Sequence, residues 1–555
     1  MHEMCSTPNT CIFVHFSFLI DIHTLLPKRE KKMAAISLTS LLISLPQQWQ
    51  LICAVSVLLL TWSWWSSREG RLIKLPPGPS TLPLLGNLHQ LGPLPHRALR
   101  DLARVHGPVM RLRLGRSPAV VLSSAATVWE ALRGHDLDCC TRPVSAGTRR
   151  LTYDLKNVAF APYGAYWREA RKLLTLELLS ARRVRAAWRA RRDQVERLAS
   201  TLRRAEGRPV ALDEHVLRLS DGIIGTVAFG SIYGGDRFAQ QNRSFQDAID
   251  DVMEMLAGAG SSAEDLQLPR VMGRLIDRLT GFAARRERIF RQLDAFFETV
   301  IEQHLLDHHP NKRAENGGDL VDVLIDLWKN PRGAFTFTKD HVKAIIFSTF
   351  VAGIDTNAAT ILWAMSELVR NPRVLNKVQA EVRAAVGGGR QVQPDDMAKL
   401  SYLRMVVKET LRLHPPAPLL LPRETMRGIQ VGGYDVPAKT RIYVNAWAIG
   451  RDPANWPDGP EEFNPERFEA SEVDLKGEHP ILMPFGTGRR ICPGMAMAMA
   501  TVEFTLATLL FGFQWALPEG MVVDDVSMEE QGSLICHRNT PLVLVPTVYR
   551  NGLDE

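Results

Sequence analysis

The sequence predicts a mainly α-helical protein with small β-sheets behind an N-terminal membrane anchor. Long amphipathic helical patterns dominate from about residue 97 onward, strand-like runs are few and short, and one uncharged apolar run lies near the N-terminus. The chain has 555 residues and a 45% hydrophobic fraction, which is enough for a large buried core. No interior stretch resembles a long flexible linker, so we expect one large globular unit after the anchor.

The apolar run at residues 49–65 predicts a transmembrane helix. It carries no charge and is bounded by Trp49 and Trp65, and Arg68, Arg71 and Lys74 follow. Tryptophan at both ends and a basic flank are typical of a membrane interface. The run is slightly shorter than the roughly 20 residues that cross a bilayer, and the apolar residues 41–45 could lengthen it. No small-residue cleavage site follows, so a retained signal anchor is favoured over a cleaved peptide or a buried core helix.

The predicted domain order has three parts. Residues 1–32 form an atypical extension, whose basic cluster at residues 28–32 opposes a cytosolic catalytic unit, and Met33 resembles a more natural start. Residues 33–74 form the signal anchor. Residues 75–555 form the globular domain, which begins with a proline-rich hinge at residues 76–79 that favours an extended, stiff backbone.

Hydrophobic periodicity places several elements inside that domain. Short strands are predicted at Val109–Leu114, Ala119–Leu122 and Arg441–Asn445. One long apolar helix is predicted over His341–Arg370 and another over Met495–Phe511. The polar stretch at residues 308–319 is typical of a surface loop.

The charge pattern excludes one class of partner and leaves two interpretations open. The formal charge is +7, and arginines are dense between residues 182 and 204, yet no finger, RNP or helix-turn-helix pattern accompanies them, so nucleic acid is not an expected partner. A solvated helix face is the favoured explanation of such a run. Attraction to an acidic redox partner or to an anionic membrane surface is the functional alternative. The arginines concerned are Arg182, Arg183, Arg185, Arg189, Arg191, Arg192, Arg197, Arg203 and Arg204.

The seven cysteines indicate a reducing compartment. Their spacing gives no disulfide framework, and no CxxC pair supports a zinc site. Cys139 and Cys140 are most simply small buried residues. Cys492 differs from the other cysteines because its surroundings are unusual.

The loop from Phe485 to Gly494 carries the strongest chemical pattern in the chain. Glycines at 486, 488 and 494 permit tight turns and a close approach of backbone to a flat group. Arg490 places a cation two residues before Cys492, and a predicted helix follows at once. A thiolate at a helix N-terminus is stabilised by the exposed amides, as an axial sulfur ligand of haem iron must be.

The predicted helix His341–Arg370 contains a second candidate site. A glycine inside a helix costs roughly 1 kcal/mol relative to alanine, and a local kink at Gly353 that opens room beside the helix is one reason for it. Thr356 can bond back to the helix or donate to bound oxygen, and Asp355 can supply protons through water. Alternatively, both side chains merely face loops.

Two further pairs lie one helical turn apart. Trp167 and Arg171 share a helix face, as do Glu409 and Arg412 at i and i+3. The second pair lies on a helix that Pro415 and Pro416 terminate. By itself, such an acid–base pair is usually a surface salt bridge of little energetic value.

These motifs together resemble the cytochrome P450 family. The string Phe485-Gly-Thr-Gly-Arg-Arg-Ile-Cys-Pro-Gly494 matches the haem-binding pattern F-x-x-G-x-R-x-C-x-G at each fixed position, and the motif order over residues 75–549 is that of plant A-type P450s. The resemblance implies a haem b cofactor with Cys492 as the iron ligand and with Phe485 and Gly494 beside it. It implies catalytic roles for Asp355 and Thr356, and many relatives carry Thr or Ser where this chain has Asn357. It implies a buried structural network of Glu409, Arg412 and Arg467, and propionate contacts from Trp167, Arg171 and Arg490. Arg142 and Arg423 match weaker positions of the same kind, where ordinary surface arginines are the alternative.

Within plant A-type P450s, the chain is most similar to monooxygenases that act on amino-acid-derived aldoximes. The resemblance implies dehydration of the aldoxime to a nitrile and hydroxylation to a cyanohydrin in plant specialised metabolism. It also implies an endoplasmic reticulum location with the catalytic domain facing the cytosol. The similar segments are residues 46–50, 94–96, 138–140, 153–158 and 445–450.

The expected electron donor is a separate protein. The chain contains no Rossmann or flavin fingerprint, so NADPH is expected to act indirectly through NADPH–cytochrome P450 reductase. The other expected partners are membrane lipid and a small hydrophobic substrate. The alternatives are a P450 acting on another small plant metabolite, a dehydratase or isomerase of the same fold that needs no O₂, a haem sensor or carrier, and a haem-free membrane scaffold.

Overall fold

The protein divides into two units, Met1–Lys74 and Leu75–Glu555. The computed structural model describes residues 74–230, 233, 249–257, 262–263, 265–266, 270–306, 318–331, 336–387, 391–532 and 534–550. The predicted extension, the signal anchor and its transmembrane helix at 49–65 therefore lie outside the described residues, as does most of the predicted loop 308–319. Apart from Lys74, the described residues belong to the second unit.

Helices dominate this unit. The first α-helix of the described residues begins at Pro95, two residues before the predicted start of the helical pattern at residue 97. The α-helices are α1 Pro95–His106, α2 Ala125–Trp129, α3 Ala146–Leu151, α4 Ala165–Leu173, α5 Ala181–Ala186, α6 Trp188–Arg204, α7 Leu212–Phe229, α8 Ile249–Ala257, α9 Arg270–Leu279, α10 Phe282–Leu306, α11 Leu320–Lys329, α12 Lys339–Arg370, α13 Pro372–Val386, α14 Ser401–Leu413, α15 Ala446–Ile449 and α16 Met495–Gly512.

The strands are short and form small sheets. They are β1 Val109–Leu114, β2 Ser117–Leu122, β3 Val210–Ala211, β4 Arg423–Glu424, β5 Ile429–Val431, β6 Tyr434–Val436, β7 Arg441–Val444, β8 Phe513–Ala516, β9 Glu530–Gln531, β10 His537–Arg538 and β11 Val543–Val548. The largest sheet has the order β1-β2-β7-β4, with β2 and β7 parallel and the other pairs antiparallel. A second sheet has the order β3-β11-β8, and β5-β6 and β9-β10 are two-stranded.

This arrangement confirms the predicted fold class, and the predicted elements lie close to the observed ones. The strand Val109–Leu114 matches β1, β2 begins two residues before the prediction, and β7 ends one residue before it. The long apolar helix begins at Lys339 rather than at residue 341, and α16 ends one residue after the prediction.

The helix α12 is the centre of the unit. It is 32 residues long and most of its residues are buried. Its N-terminal half packs in one hydrophobic cluster with Phe296 and Phe297 of α10, and its C-terminal half packs in a second cluster with Leu403 of α14 and Leu506 of α16. In the part of the chain that the structure describes, α12 and α16 are the two helices long and apolar enough to cross a membrane. Their buried faces identify them as core helices of this domain.

The arginine-rich stretch covers α5 and α6. Most of its arginines are exposed or half-buried, as a solvated helix face requires. Arg191 is the exception: it is buried, it donates to the Val184 carbonyl at 2.5 Å, and it contacts the Met497 sulfur at 3.6 Å. The interpretation of the run as wholly solvated is therefore wrong at this residue, because the apolar face of α6 turns it toward α16.

Candidate active site

The loop before α16 brings Cys492 to the start of that helix. The Cys492 amide donates to the Phe485 carbonyl at 2.9 Å, which closes the loop on itself. Gly486 and Gly488 adopt left-handed φ angles of 72° and 64°. A Cβ atom at Gly488 would lie 2.6 Å from the Asp136 carboxylate and 2.9 Å from the Leu132 carbonyl. Glycine is required there because the loop lies directly against the helical turns at residues 130–139.

The Cys492 thiol lies deep in the protein, although the residue as a whole is half-buried. Burial raises the pKa of the Cys492 thiol, while the amides of Gly494 and Met495 and the Arg171 guanidinium act in the opposite direction. Because burial outweighs the amides, the thiol alone stays protonated at neutral pH, and a Lewis acid such as iron is what would make it a thiolate.

Four arginines lie near this loop: Arg142, Arg171, Arg423 and Arg490. Arg142, Arg423 and Arg490 are buried. Burial lowers the pKa of Arg490 to about 9, and the pKa of Arg142 falls well below its usual value through burial and through repulsion from the other three cations. Asp136 offsets part of this charge by accepting from Arg423 at 2.8 Å. The group keeps an excess of buried positive charge, which an anionic ligand would compensate.

Hydrogen bonds that these arginines donate to backbone carbonyls hold the cysteine loop against neighbouring segments. Arg490 donates to the carbonyls of Cys140 at 2.7 Å and Ala161 at 2.6 Å, and its guanidinium carbon lies 4.2 Å from the centre of the Trp167 ring. Trp167 in turn donates to the Val158 carbonyl at 3.1 Å. Arg171 donates to the Ile491 carbonyl at 2.5 Å. The structure thus brings Trp167, Arg171, Arg490 and Cys492 together.

The two weaker candidates also belong to this group. Arg142 donates to the carbonyls of Leu421 and Pro422 at 2.6 and 2.8 Å, and Arg423 donates to Asp136 and to the Thr487 carbonyl. Both side chains are nearly inaccessible, so the alternative of ordinary surface arginines is wrong for both. They tie the segment after α14 to the cysteine loop.

The helix α12 has an accessible patch in its buried middle. Ala352 is exposed and Gly353 and Thr356 are half-buried, between buried residues on either side. A Cβ atom at Gly353 would lie 2.8 Å from the Ile224 side chain of α7. The helix is continuous from Lys339 to Arg370, and close packing on α7 is the reason that the structure gives for the glycine. The Thr356 hydroxyl donates to the Ala352 carbonyl at 2.7 Å.

Asp355 points to another partner. Its carboxylate lies 3.1 Å from Nε2 of His537 in β10. Asp355 and Thr356 are consecutive on the helix, so their side chains diverge by about 100° and do not face each other. Asn357 is buried and donates to the Gly353 carbonyl at 2.8 Å.

Glu409, Arg412 and Arg467 form one buried network. Arg412 donates to both oxygens of Glu409 at 2.7 and 2.8 Å, and Arg467 donates to the same carboxylate at 2.9 Å. Glu409 is fully buried and Arg412 is 1% exposed. This pair is therefore not the surface salt bridge that its spacing alone would suggest. The network ties α14 to the 3₁₀ turn Pro465–Phe468.

Sequence reasoning missed two residues of this site. Asp136 accepts from Arg423 and from the Arg489 amide, but no motif marks it apart from its proximity to the Cys139-Cys140 pair. His537 lies 182 residues from Asp355 and belongs to no recognisable pattern. Only the three-dimensional structure brings either residue to the site.

Comparison with known proteins decides the family. The family profile described as cytochrome P450 matches residues 76–545. The chain belongs to the cytochrome P450 family. This P450 is 59% identical to 4-hydroxyphenylacetaldehyde oxime monooxygenase of Sorghum bicolor, over 92% of this chain and 97% of that protein. It is 46% identical to 2-methylbutanal oxime monooxygenase of Manihot esculenta, over 92% of this chain and 99% of that protein.

A solved structure supports the same assignment. A zebra fish cytochrome P450 with abiraterone superposes with a TM-score of 0.69 at 25% identity, covering 83% of this chain and all of that one. The family resemblance predicted from the sequence is thereby confirmed, and the chain is a P450 monooxygenase with a haem-thiolate centre. The site fits such a group, because a deep cysteine thiol lies beside buried cations whose excess positive charge suits anionic propionates.

Proposed function

We propose that this P450 converts an amino-acid-derived aldoxime to a nitrile and then to a cyanohydrin. The observation that supports this substrate class is the near full-length similarity to two oxime monooxygenases, one at 59% and one at 46% identity. The two relatives are named for an aromatic and an aliphatic oxime. The shared part of those substrates is the oxime group, and it is the part that we assign to this chain.

The site residues have distinct proposed roles. Haem, when bound, supplies the iron at which O₂ is activated with two electrons from NADPH. Cys492 is the proposed iron ligand, with Phe485 and Gly494 shaping the loop around it. Trp167 and Arg171, together with Arg142, Arg423 and Arg490, hold the anionic edge of the cofactor.

The proposed proton donors lie on α12. Asp355 places a carboxyl group that can pass on protons in a buried position, and Thr356 offers a hydroxyl on the accessible patch of the helix. Because the two side chains diverge, water carries the proton between them. Asn357 stays bonded to the helix and keeps the turn after Gly353 rigid. Glu409, Arg412 and Arg467 act as structural residues.

The surroundings of the domain are part of the proposal. Residues 33–74 anchor the protein in the endoplasmic reticulum membrane, the hinge at 76–79 leads to the catalytic domain 75–555 in the cytosol, and residues 1–32 form an extension. NADPH–cytochrome P450 reductase delivers the electrons. The second candidate function is dehydration of the oxime by the same site without O₂, since removal of water from an oxime needs no net oxidation.

Reconstitution tests the substrate class. Full-length enzyme and reductase in lipid vesicles are supplied with NADPH and a panel of aromatic and aliphatic aldoximes, and nitrile and cyanohydrin are measured. Cyanohydrin formation that requires O₂ and NADPH is the expected result. Nitrile as the only product, formed equally without O₂, would establish the dehydratase instead. Oxidation of other metabolites with no turnover of any aldoxime would reject the substrate.

Two variants test the site. Cys492→Ala is expected to lose the thiolate-type spectrum of the reduced CO complex, and a retained spectrum would reject the ligand assignment. Thr356→Ala is expected to release more hydrogen peroxide per NADPH consumed, because proton delivery becomes less accurate. Unchanged coupling would remove Thr356 from the proton route.

A further inference from the structure

The pair of Asp355 and His537 connects the middle of α12 to a partly accessible histidine. Nε2 of His537 lies 3.1 Å from the Asp355 carboxylate. The Asp355 side chain is 8% accessible, while that of His537 is 28% accessible. A carboxylate buried at this depth is costly unless a cation or a donor meets it. The histidine meets this need, and part of its own side chain is accessible.

An imidazole suits proton transfer because it has two separate nitrogens. When Nε2 gives its proton to a neighbouring carboxylate, Nδ1 can take part in exchange on the other side of the ring. The histidine begins β10, which packs against α12 and pairs with β9. His537 therefore links the short strand β10 to the buried acid of the site.

Among the residues that the structure describes, the other charged groups around β10 have partners of their own. On β9, Glu530 accepts from His96, Arg97 and Trp447. On α12, Glu367 bonds His414 at 2.7 Å and Arg370 donates to the carbonyls of Val523 and Val526. Arg538, next to the histidine, donates to Ser366 at 2.7 Å. Asp355 is thus the acid that the geometry assigns to His537.

We propose that His537 holds Asp355 in place and relays protons to it from water. This inference rests on the role proposed above for Asp355. In each relay step the N–H bond at Nε2 of the imidazolium breaks and an O–H bond forms on Asp355, which leaves a neutral imidazole. The O–H bond on Asp355 then breaks as the proton passes to the water that leads to Thr356, and Asp355 is a carboxylate again. Water then returns a proton to the ring. Each oxygenation consumes two protons with its two electrons, so the relay runs twice per turnover.

The pairing of His537 with Asp355 is tested by chemical modification, which does not require catalytic turnover. Diethyl pyrocarbonate modifies neutral imidazole, and a carboxylate at hydrogen-bond distance favours the imidazolium. The full-length holoenzyme is treated at pH 6, and modification of each histidine is followed by peptide mass spectrometry. Asp355→Asn, which preserves size, is expected to speed modification of His537 by roughly tenfold, while His135 serves as an internal reference. An unchanged rate at His537 would overturn the pairing.

Turnover then separates a relay from a simple ion pair. His537→Gln is expected to lower product per NADPH and raise peroxide release at least several-fold, while leaving the substrate-induced spin-state change intact. His537→Arg keeps a cation beside Asp355 but cannot exchange protons near neutral pH. It is expected to remain uncoupled. Coupling restored by the arginine would show that the ion pair suffices and would overturn the relay.

A control variant and the pattern of outcomes separate failure of the relay from failure of the proposed substrate. His215→Gln, at a half-buried histidine of α7, is expected to behave as the wild type in both assays. If no aldoxime is turned over, the proposed substrate fails, yet the modification assay still reports the pair. If aldoximes are turned over and His537→Gln stays fully coupled, the relay fails and the substrate class stands.

Discussion

Replacement of Glu409 by alanine removes the acceptor at the centre of a buried charge network. The carboxylate accepts from Arg412 at 2.7 and 2.8 Å, from Arg467 at 2.9 Å and from the Asn464 amide at 2.9 Å. Arg412, which is 1% exposed, would keep its carbonyl acceptors at Gly450, Pro460 and Glu462 but lose its counter-charge.

The magnitude of the effect depends on burial. Leaving one charge of a buried pair without its partner costs about 3–5 kcal/mol, against a typical total stability of about 5–15 kcal/mol. Glu409→Ala should therefore strongly lower the guanidinium chloride concentration at which half of the protein is unfolded. Haem should be released at a lower denaturant concentration than from the wild type. Glu409→Gln keeps the shape and some of the hydrogen bonds, and we expect an intermediate loss.

An exposed ion pair of the same chain provides the control. Glu214 and Arg218 of α7 lie 3.0 Å apart with side chains 76% and 68% accessible, so Glu214→Ala should cost at most about 0.5 kcal/mol. Unfolding is followed by tryptophan fluorescence and haem retention by absorbance. If Glu409→Ala and Glu214→Ala shifted the midpoint equally, the reasoning from buried charge would be refuted.

Three further changes test other parts of the structure. Hydrogen bonding from Arg373 lowers the pKa of Glu466 to about 2, so this carboxylate stabilises the fold above its unfolded pKa near 4.5 and the contribution is lost as the pH falls toward 2. Glu466→Gln should cost about 1 kcal/mol at pH 7 and flatten the acid side of a plot of unfolding midpoint against pH; an unchanged slope would contradict this. Gly450→Ala would place a Cβ atom 2.4 Å from the Arg412 carbonyl and should cost about 1–3 kcal/mol in chemical unfolding, whereas Gly164→Ala, with nothing within 4 Å, should cost less than about 1 kcal/mol. Trp167→Phe removes the hydrogen bond to Val158 and weakens the contact with Arg490, so haem should dissociate several-fold faster in a transfer assay to apomyoglobin; equal rates would separate Trp167 from cofactor retention.

The extent of sequence prediction depends on the length and periodicity of each element. The helix α12 and the strand β1 were predictable because their apolar patterns are long or strictly regular. The strands β9 and β10 contain two residues each, and no hydrophobic period exists over two residues. The residues that such short strands carry to the site, among them His537, were therefore beyond prediction.

The burial of side chains was the second feature that the sequence could not predict. The spacing of Glu409 and Arg412 indicated one helix face but could not show that the face is buried. Arg142 and Arg423 could equally have been surface residues, and only tertiary packing against residues 421–422 and 487 decides their environment. The motif around Cys492 was predictable because its glycines, its cation and its helix N-terminus are close in sequence.

Burial makes a negative charge on the Cys492 sulfur and positive charges on the nearby arginines unfavourable, and one ligand would relieve both. Burial disfavours the thiolate at Cys492 and disfavours the charge on Arg142 and Arg490. With the roles proposed above, haem would offer a metal cation to the sulfur and carboxylates to the guanidinium groups, so its binding would offset both costs at once. A ligand that binds only the folded chain also stabilises that fold. We therefore expect folding and cofactor binding to be coupled in this P450, and substitutions among the buried arginines should affect stability and haem affinity together.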